Sequence, residues 1–168
     1  MEKLIELIYQ NTFIGFRDTV AILTMYKTGI RIQTLGELKE RHIDYENPSI
    51  NLDGSILKNH KFLKLQIVRS YYNTENTNII ITQNGLPINN SKTSNNAISK
   101  QLNKYSKRFG LENINAHAIR RGYAKKLLDA GASIAIISKA LGYSDLGVTT
   151  QYLDLDVKEV ATSLRDYQ

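Results

Sequence analysis

His117 and Arg120 stand three residues apart, a spacing that places both side chains on one face of a helix. Ala118, Ile119, Tyr123, Ala124, Leu127 and Leu128 supply that helix with apolar positions, and Gly131 is its natural stop. Ser133 can cap a second helix carrying Ile134, Ile137 and Leu141, which ends at Gly142. The chain then turns through Tyr143, Ser144 and Asp145 and reaches Thr149, Thr150 and Tyr152. This set suits phosphate chemistry. Arginine forks onto two phosphate oxygens, histidine moves protons near neutral pH, and tyrosine can serve as a covalent nucleophile. His42 and His60 have no partner pattern and read as surface or turn histidines, and no residue cluster has metal-ligand spacing. No metal or cofactor is called for.

The stretch from His117 to Tyr152 resembles box II of the tyrosine recombinases, the phage-integrase family. Their pattern runs His-x-x-Arg, a helix ending in glycine, then Leu-Gly-His-Ser and a nucleophilic tyrosine nine residues after that second histidine. His117-Ala118-Ile119-Arg120 fills the first part and Leu141-Gly142-Tyr143-Ser144 the second, with Tyr152 nine residues beyond Tyr143. Tyr143 departs from the family, which usually has histidine there. Tyr26-Lys27-Thr28-Gly29-Ile30-Arg31 resembles the family's box I, Tyr-x-Thr-Gly-Leu-Arg, and His42-Ile43-Asp44 fills the turn that follows it. Thr34 stands where an acidic residue usually supports the first arginine, and Glu37 is a possible substitute one helical turn on. Matching the family's Val-Pro-Leu to Leu65-Gln66-Ile67 puts the catalytic lysine of the β-hairpin at Lys58, with Lys61 as the competitor.

The elements that must position these residues read as α+β. Leu4 to Ile8 form a short helix, and Phe13 to Tyr26 a longer amphipathic one ended by Gly29, followed by a short helix through Leu35 and Leu38. Residues 47 to 82 read as β. Ser49 to Leu52 is a strand, Asp53-Gly54 a hairpin turn, Phe62 to Val68 a second strand and Asn78 to Thr82 a third. A polar loop at Ser91 to Asn96 caps a helix from Ala97 to Phe109, which Gly110 stops, and a last helix carries Val157, Val160, Ala161 and Leu164.

The chain has 168 residues, 42% hydrophobic and 23% charged, enough for one domain with a sizeable core. Cysteine is absent, which excludes a disulfide framework or thiolate metal site and suits a reducing compartment. Charges within Met1 to Glu6 argue against a signal peptide, and no apolar run is long enough for a bilayer. A cytoplasmic, DNA-associated protein with no membrane partner is expected. The abundance of asparagine, isoleucine and lysine points to an AT-rich bacterial genome or its mobile element.

Formal net charge is +6, so an anionic partner is reasonable, with nucleic acid first. Lys92, Lys100, Lys104, Lys107, Arg108, Arg120, Arg121, Lys125 and Lys126 cluster around the box II stretch against Glu112 alone. A DNA backbone needs such charge, because each phosphate neutralised releases counterions. Lys61, Lys100, Lys104, Lys107, Arg108, Arg121 and Lys125 are the candidate DNA contacts.

The resemblance implies a mostly helical tyrosine-recombinase catalytic domain over residues 1–168 with a small three-stranded antiparallel sheet. It implies cleavage of double-stranded DNA through a 3′-phosphotyrosyl link at Tyr152, with integration or excision of a mobile element. Arg31, Arg120, His117, Lys58 and Tyr143 would form the rest of the catalytic set, and the active form would be a homo-tetramer on DNA. The family's N-terminal DNA clamp has no counterpart before Phe13. Tyr71, Tyr72, Tyr123 and Tyr167 are weaker nucleophile candidates, being placed on strand ends, an apolar helix face or the tail. Two other readings stay open: a catalytically silent DNA-binding relative, and a type IB topoisomerase-like enzyme that relaxes DNA as a monomer.

Overall fold

Helix α2, Phe13–Thr28, is the element against which the first part of the chain is built. Thr12 caps it by accepting the Gly15 N–H at 3.1 Å. Gly15 is required there: a Cβ would stand 2.0 Å from the carbonyl oxygen of Tyr9, in the connection from helix α1, Glu2–Leu7. The expectation of an amphipathic α2 needs correcting, because Arg17, Asp18, Thr19, Thr24 and Thr28 are buried alongside Ala21, Ile22 and Met25. A helix buried around so much of its girth must satisfy its polar side chains internally. Thr24 and Thr28 do so by donating to the carbonyls four residues back, at 2.8 and 2.7 Å.

The structure, a computed structural model, describes residues 1–44, 46, 49–52, 55–58, 77–88, 97–143 and 146–153. After α2 come helix α3, Ile32–Glu37, and a 3₁₀ turn, Glu40–His42. His42 accepts the Lys39 N–H at Nδ1, 3.1 Å away, so it is a turn histidine. Strands β1, Ile43–Asp44, β2, Ser49–Leu52, and β3, Ser55–Lys58, pair antiparallel in that order. Leu52 faces Ser55 in the register of β2 and β3, and the expected Asp53-Gly54 turn between them lies outside the described residues.

This sheet is not the one expected. The predicted strand at 62–68 lies outside the described residues, as do His60, Lys61, Tyr71, Tyr72, Lys92 and the predicted helix after residue 156. Asn78 to Thr82 is not a strand. It makes isolated bridges, Lys39 with Asn78 and Ile81 with Pro87, and Asn78 Nδ2 donates to the Gly36 carbonyl at 2.8 Å. The physical reason lies in its three isoleucines, all buried at 9%, 2% and 1% exposure. A short run that is buried throughout carries no alternation by which to identify it.

Helices α4, Ala97–Phe109, α5, Ala116–Asp129, α6, Ile134–Leu141, and α7, Leu146–Leu153, complete the described chain. The chain divides into two units, Met1–Tyr123 and Ala124–Gln168. The first has a core of Leu4, Ile22, Met25, Leu35, Leu38, Ile50, Ile98, Leu102 and Ile119, each contributing about 1.5–3 kcal/mol by burial. In the second, α6 and α7 pack together, and Ala124, Ile137, Leu141 and Leu153 are buried. No described helix is long and apolar enough to cross a membrane.

Tyr105 of α4 ties to α2 through a buried network. Its hydroxyl donates to Asp18 Oδ2 at 2.7 Å, while Arg17 donates through Nε and Nη2 to Asp18 Oδ1 at 2.9 and 2.6 Å. Burial, then the bond to Asp18, pushes the Tyr105 phenol well above its usual value near 10. The neutral phenol therefore stabilises the fold fully below about pH 10, and this contribution is lost as pH rises further. Tyr105→Phe is expected to cost about 1–3 kcal/mol at neutral pH, by leaving Asp18 short of a donor. The deficit should narrow in urea melts from about pH 8 to pH 11; a deficit that stays constant across that range would remove Tyr105 from the alkaline transition.

Candidate functional site

Two helix ends in the first unit carry the predicted residues Arg31, His117 and Arg120. At the end of α2, Gly29 adopts the left-handed conformation, φ 67° and ψ 13°, and its N–H bonds the Met25 carbonyl at 2.8 Å. Glycine takes this backbone without the Cβ penalty of other residues. Ile30 turns inward, 4% exposed. Arg31 follows as the N-cap of α3, its carbonyl accepting the Leu35 N–H at 2.8 Å, and is exposed. Thr34 is half-buried on α3 and Glu37 exposed at its last residue.

The second end is the start of α5. Asn115 Oδ1 accepts the Ala118 N–H at 2.9 Å, a side-chain cap of the kind asparagine favours. His117 lies in this exposed first turn, where the helix dipole favours an anion. Arg120 lies one turn on and is only 5% exposed. Its Nη1 donates to the Gly29 carbonyl, the carbonyl two residues before Arg31. Helix α5 comes close to α2 at Gly122, where an added Cβ would stand 3.3 Å from Tyr26 Cε2. Tyr123 is half-buried, and burial pushes its phenol up despite the charge of Arg120. The structure thus joins Arg120 to the turn that carries Arg31.

In the second unit, α6 starts with the Ser133 hydroxyl accepting the Ile136 N–H at 3.3 Å. It ends at Gly142, φ 63°, in a Schellman motif. Gly142 N–H bonds Lys139 and Tyr143 N–H bonds Ser138, at 3.1 and 2.9 Å. The buried Ser138 hydroxyl donates back to the Tyr143 carbonyl at 3.0 Å, so the backbone of Tyr143 is doubly held. Tyr143 itself is half-buried.

Tyr152 stands on α7, where the sequence reading had only a turn leading to it. Val148, Thr149 and Thr150 are β-branched and weak helix formers, so local propensity gave little signal. Packing overrides it: Thr149 and Leu153, four residues apart, are buried at 0% and 7% exposure. The Thr149 hydroxyl has no hydrogen-bond partner among the described residues.

Lys58 also differs from expectation. It is the last residue of β3, paired with Ser49, where a hairpin turn was expected. The basic helices are as expected in exposure. Lys100, Lys104, Lys107 and Arg108 of α4 are all exposed, the first three along one stripe, and the Arg108 guanidinium lies 5.7 Å from the Phe109 ring centroid. On α5, His117, Arg121 and Lys125 recur every four residues and are exposed. Lys125 approaches Asp129 at 3.9 Å, an exposed pair of little energetic weight. No group of metal-ligating side chains occurs among the described residues. A cavity of about 550 Å³ between Leu7, Phe13, Tyr105 and Phe109 is lined by none of the predicted catalytic residues.

Sequence reasoning missed two participants, the Gly29 carbonyl and Gly122. A glycine inside a helix, flanked by Arg121 and Tyr123, was the available signal for a close approach.

The phage integrase family model matches residues 1–159. Tyrosine recombinase XerC of Staphylococcus haemolyticus is 28% identical over 165 residues, covering 90% of this chain and 54% of its own length. Tyrosine recombinase XerA of Pyrococcus horikoshii is 24% identical over 156 residues, covering 89% and 54%. The chain therefore spans about half the length of the curated relatives it matches. Among solved structures, a crystal structure of XerA recombinase has a TM-score of 0.76 at 18% identity, covering 99% of this chain and 61% of that one. XerH site-specific recombinase bound to its difH substrate has a TM-score of 0.72 at 21% identity, covering 99% and 51%. These structural likenesses show a common fold.

Proposed function

The chain belongs to the phage integrase family and is a tyrosine recombinase by kinship, and from that premise we propose that it is the catalytic portion of a site-specific DNA recombinase. The observation that carries this reading is the bond from Arg120 to the Gly29 carbonyl, which sets the arginines of two distant motifs at one turn. Arginine pairs neutralise and orient a phosphodiester as it passes through its charged transition state. The relatives are named recombinases, and XerH was solved bound to its difH substrate.

In the proposed reaction the Tyr152 phenolic oxygen attacks the scissile phosphorus, and the phosphorus–5′-oxygen bond breaks. The enzyme is left joined through a 3′-phosphotyrosyl ester. Lys58 delivers a proton to the departing 5′ oxygen, Arg31 and Arg120 hold the non-bridging oxygens, and His117 accepts the tyrosine proton or donates to phosphate. Rejoining reverses these steps with a new 5′ hydroxyl, so the ester conserves the bond energy and no metal is needed. The exposed cations of α4 and α5 grip the duplex backbone. Integration or excision of a mobile element by a tetramer on DNA is the role this chemistry serves.

Tyr143 favours a second reading, a silent DNA-binding relative, since a phenol cannot supply the cationic hydrogen bond that histidine can. Tyr143→His is expected to raise cleavage about tenfold, equivalent to roughly 1.4 kcal/mol of transition-state stabilisation. An unchanged rate would take Tyr143 out of the phosphate-binding set.

The deciding experiment is covalent trapping on a nicked suicide duplex bearing an end of the parent element. The recombinase reading expects an SDS-resistant protein–DNA band. Salt-sensitive binding to the same duplex with no band would favour the silent reading.

A further inference from the structure

We infer that Thr28 is a positioning residue for both arginines, its hydroxyl clamping the peptide on which Arg120 is anchored and which precedes the one leading into Arg31. This rests on the catalytic reading above. Thr28 is 1% exposed, and its Oγ1 donates to the Thr24 carbonyl at 2.7 Å and accepts the Ile30 N–H at 3.2 Å. The Gly29 carbonyl and the Ile30 N–H belong to one peptide unit, which is planar. Thr28 therefore holds one edge of that plane while Arg120 Nη1 holds the other.

A clamp is needed because Gly29 is the residue before the plane, with φ 67°. Glycine permits rotations that other residues resist, so the orientation of this peptide must be imposed from outside. If the plane turned, the carbonyl would leave Arg120 and the N–H would leave Thr28 together. Arg31, starting from the next peptide, would be presented in a different direction. The close approach of α5 to α2 at Gly122 and Tyr26 brings Arg120 near enough for the contact, but it does not set the angle of the peptide. The hydroxyl does.

Two variants of the full chain test this. Thr28→Val keeps the shape and removes the hydroxyl; Thr28→Ser keeps the hydroxyl and removes the methyl. Single-turnover cleavage of the nicked duplex by Thr28→Val should fall on the order of 10- to 100-fold, the scale for misplaced catalytic groups. Duplex affinity should stay within about twofold, and Thr28→Ser should restore most of the rate. Arginine side-chain ¹⁵N NMR provides a readout independent of cleavage. The Arg120 guanidinium signals should be those of a held group in the wild type and in Thr28→Ser, and shift or broaden in Thr28→Val. Equal rates for Thr28→Val and wild type, or equal slowing in both variants, would overturn the clamp. Were the wild type to form no adduct, the catalytic reading would fall by itself. Unchanged Arg120 signals in Thr28→Val would then dispose of the clamp, and altered signals rescued by serine would uphold it.

Discussion

Phenylalanine in place of Tyr152 is expected to abolish the SDS-resistant adduct while leaving duplex binding intact. The substitution removes one oxygen and keeps the ring, so the helical turn that carries residue 152 has no reason to rearrange. Loss of a nucleophile lowers rates on the order of 10⁴-fold or more, because neighbouring groups cannot form the missing bond. The chain has ten tyrosines, which makes this variant more informative than a simple loss-of-function mutant. A residual adduct mapping to Tyr143 would show that the replaced histidine position has itself become reactive. A full-strength adduct would transfer the role to another tyrosine and leave the nine-residue spacing without chemical meaning.

Arg120→Lys should be nearly as severe, and it separates two functions of one side chain. Lysine retains the charge but loses the planar fork, so it cannot bridge two phosphate oxygens in fixed geometry. Removal of one such donor set costs about 10²–10³ in rate at sites that stabilise developing charge. At 5% exposure and with its Nη1 on the Gly29 carbonyl, Arg120 also braces the turn after α2. A stability loss of about 1–3 kcal/mol is therefore expected in denaturant melts, the usual range for leaving a buried group unpaired. A variant that is destabilised yet cleaves at the wild-type rate would make Arg120 a brace alone. One that is as stable as the wild type but cleaves slowly would make it a clamp on phosphate alone.

Much of the site could be read from residue types because its markers act locally. Gly29, Gly110, Gly131 and Gly142 all take positive φ where helix stops were expected, since a glycine after an apolar period has few other uses. Ser133 caps α6 as predicted, and the spacing of His117 and Arg120 places them on one helix. Lys58 was harder. Its placement depended on aligning a segment without glycines, and it closes a strand where a turn was expected.

The sequence by itself determined which side chains could do phosphate chemistry, where the helices stop and which family wording they carry. Those properties depend on neighbours within a few residues, so they survive without any tertiary context. Only the tertiary structure decided that Arg120 would meet the Gly29 carbonyl across 91 residues of chain, that α2 would bury its own arginine and aspartate, and that Ile79 to Ile81 would be buried without forming a strand. It also made a helix of the segment bearing Tyr152, against the β-branched residues before it. Each of these depends on what packs against a residue from far along the chain, and burial outweighs the few tenths of a kcal/mol by which local propensities differ.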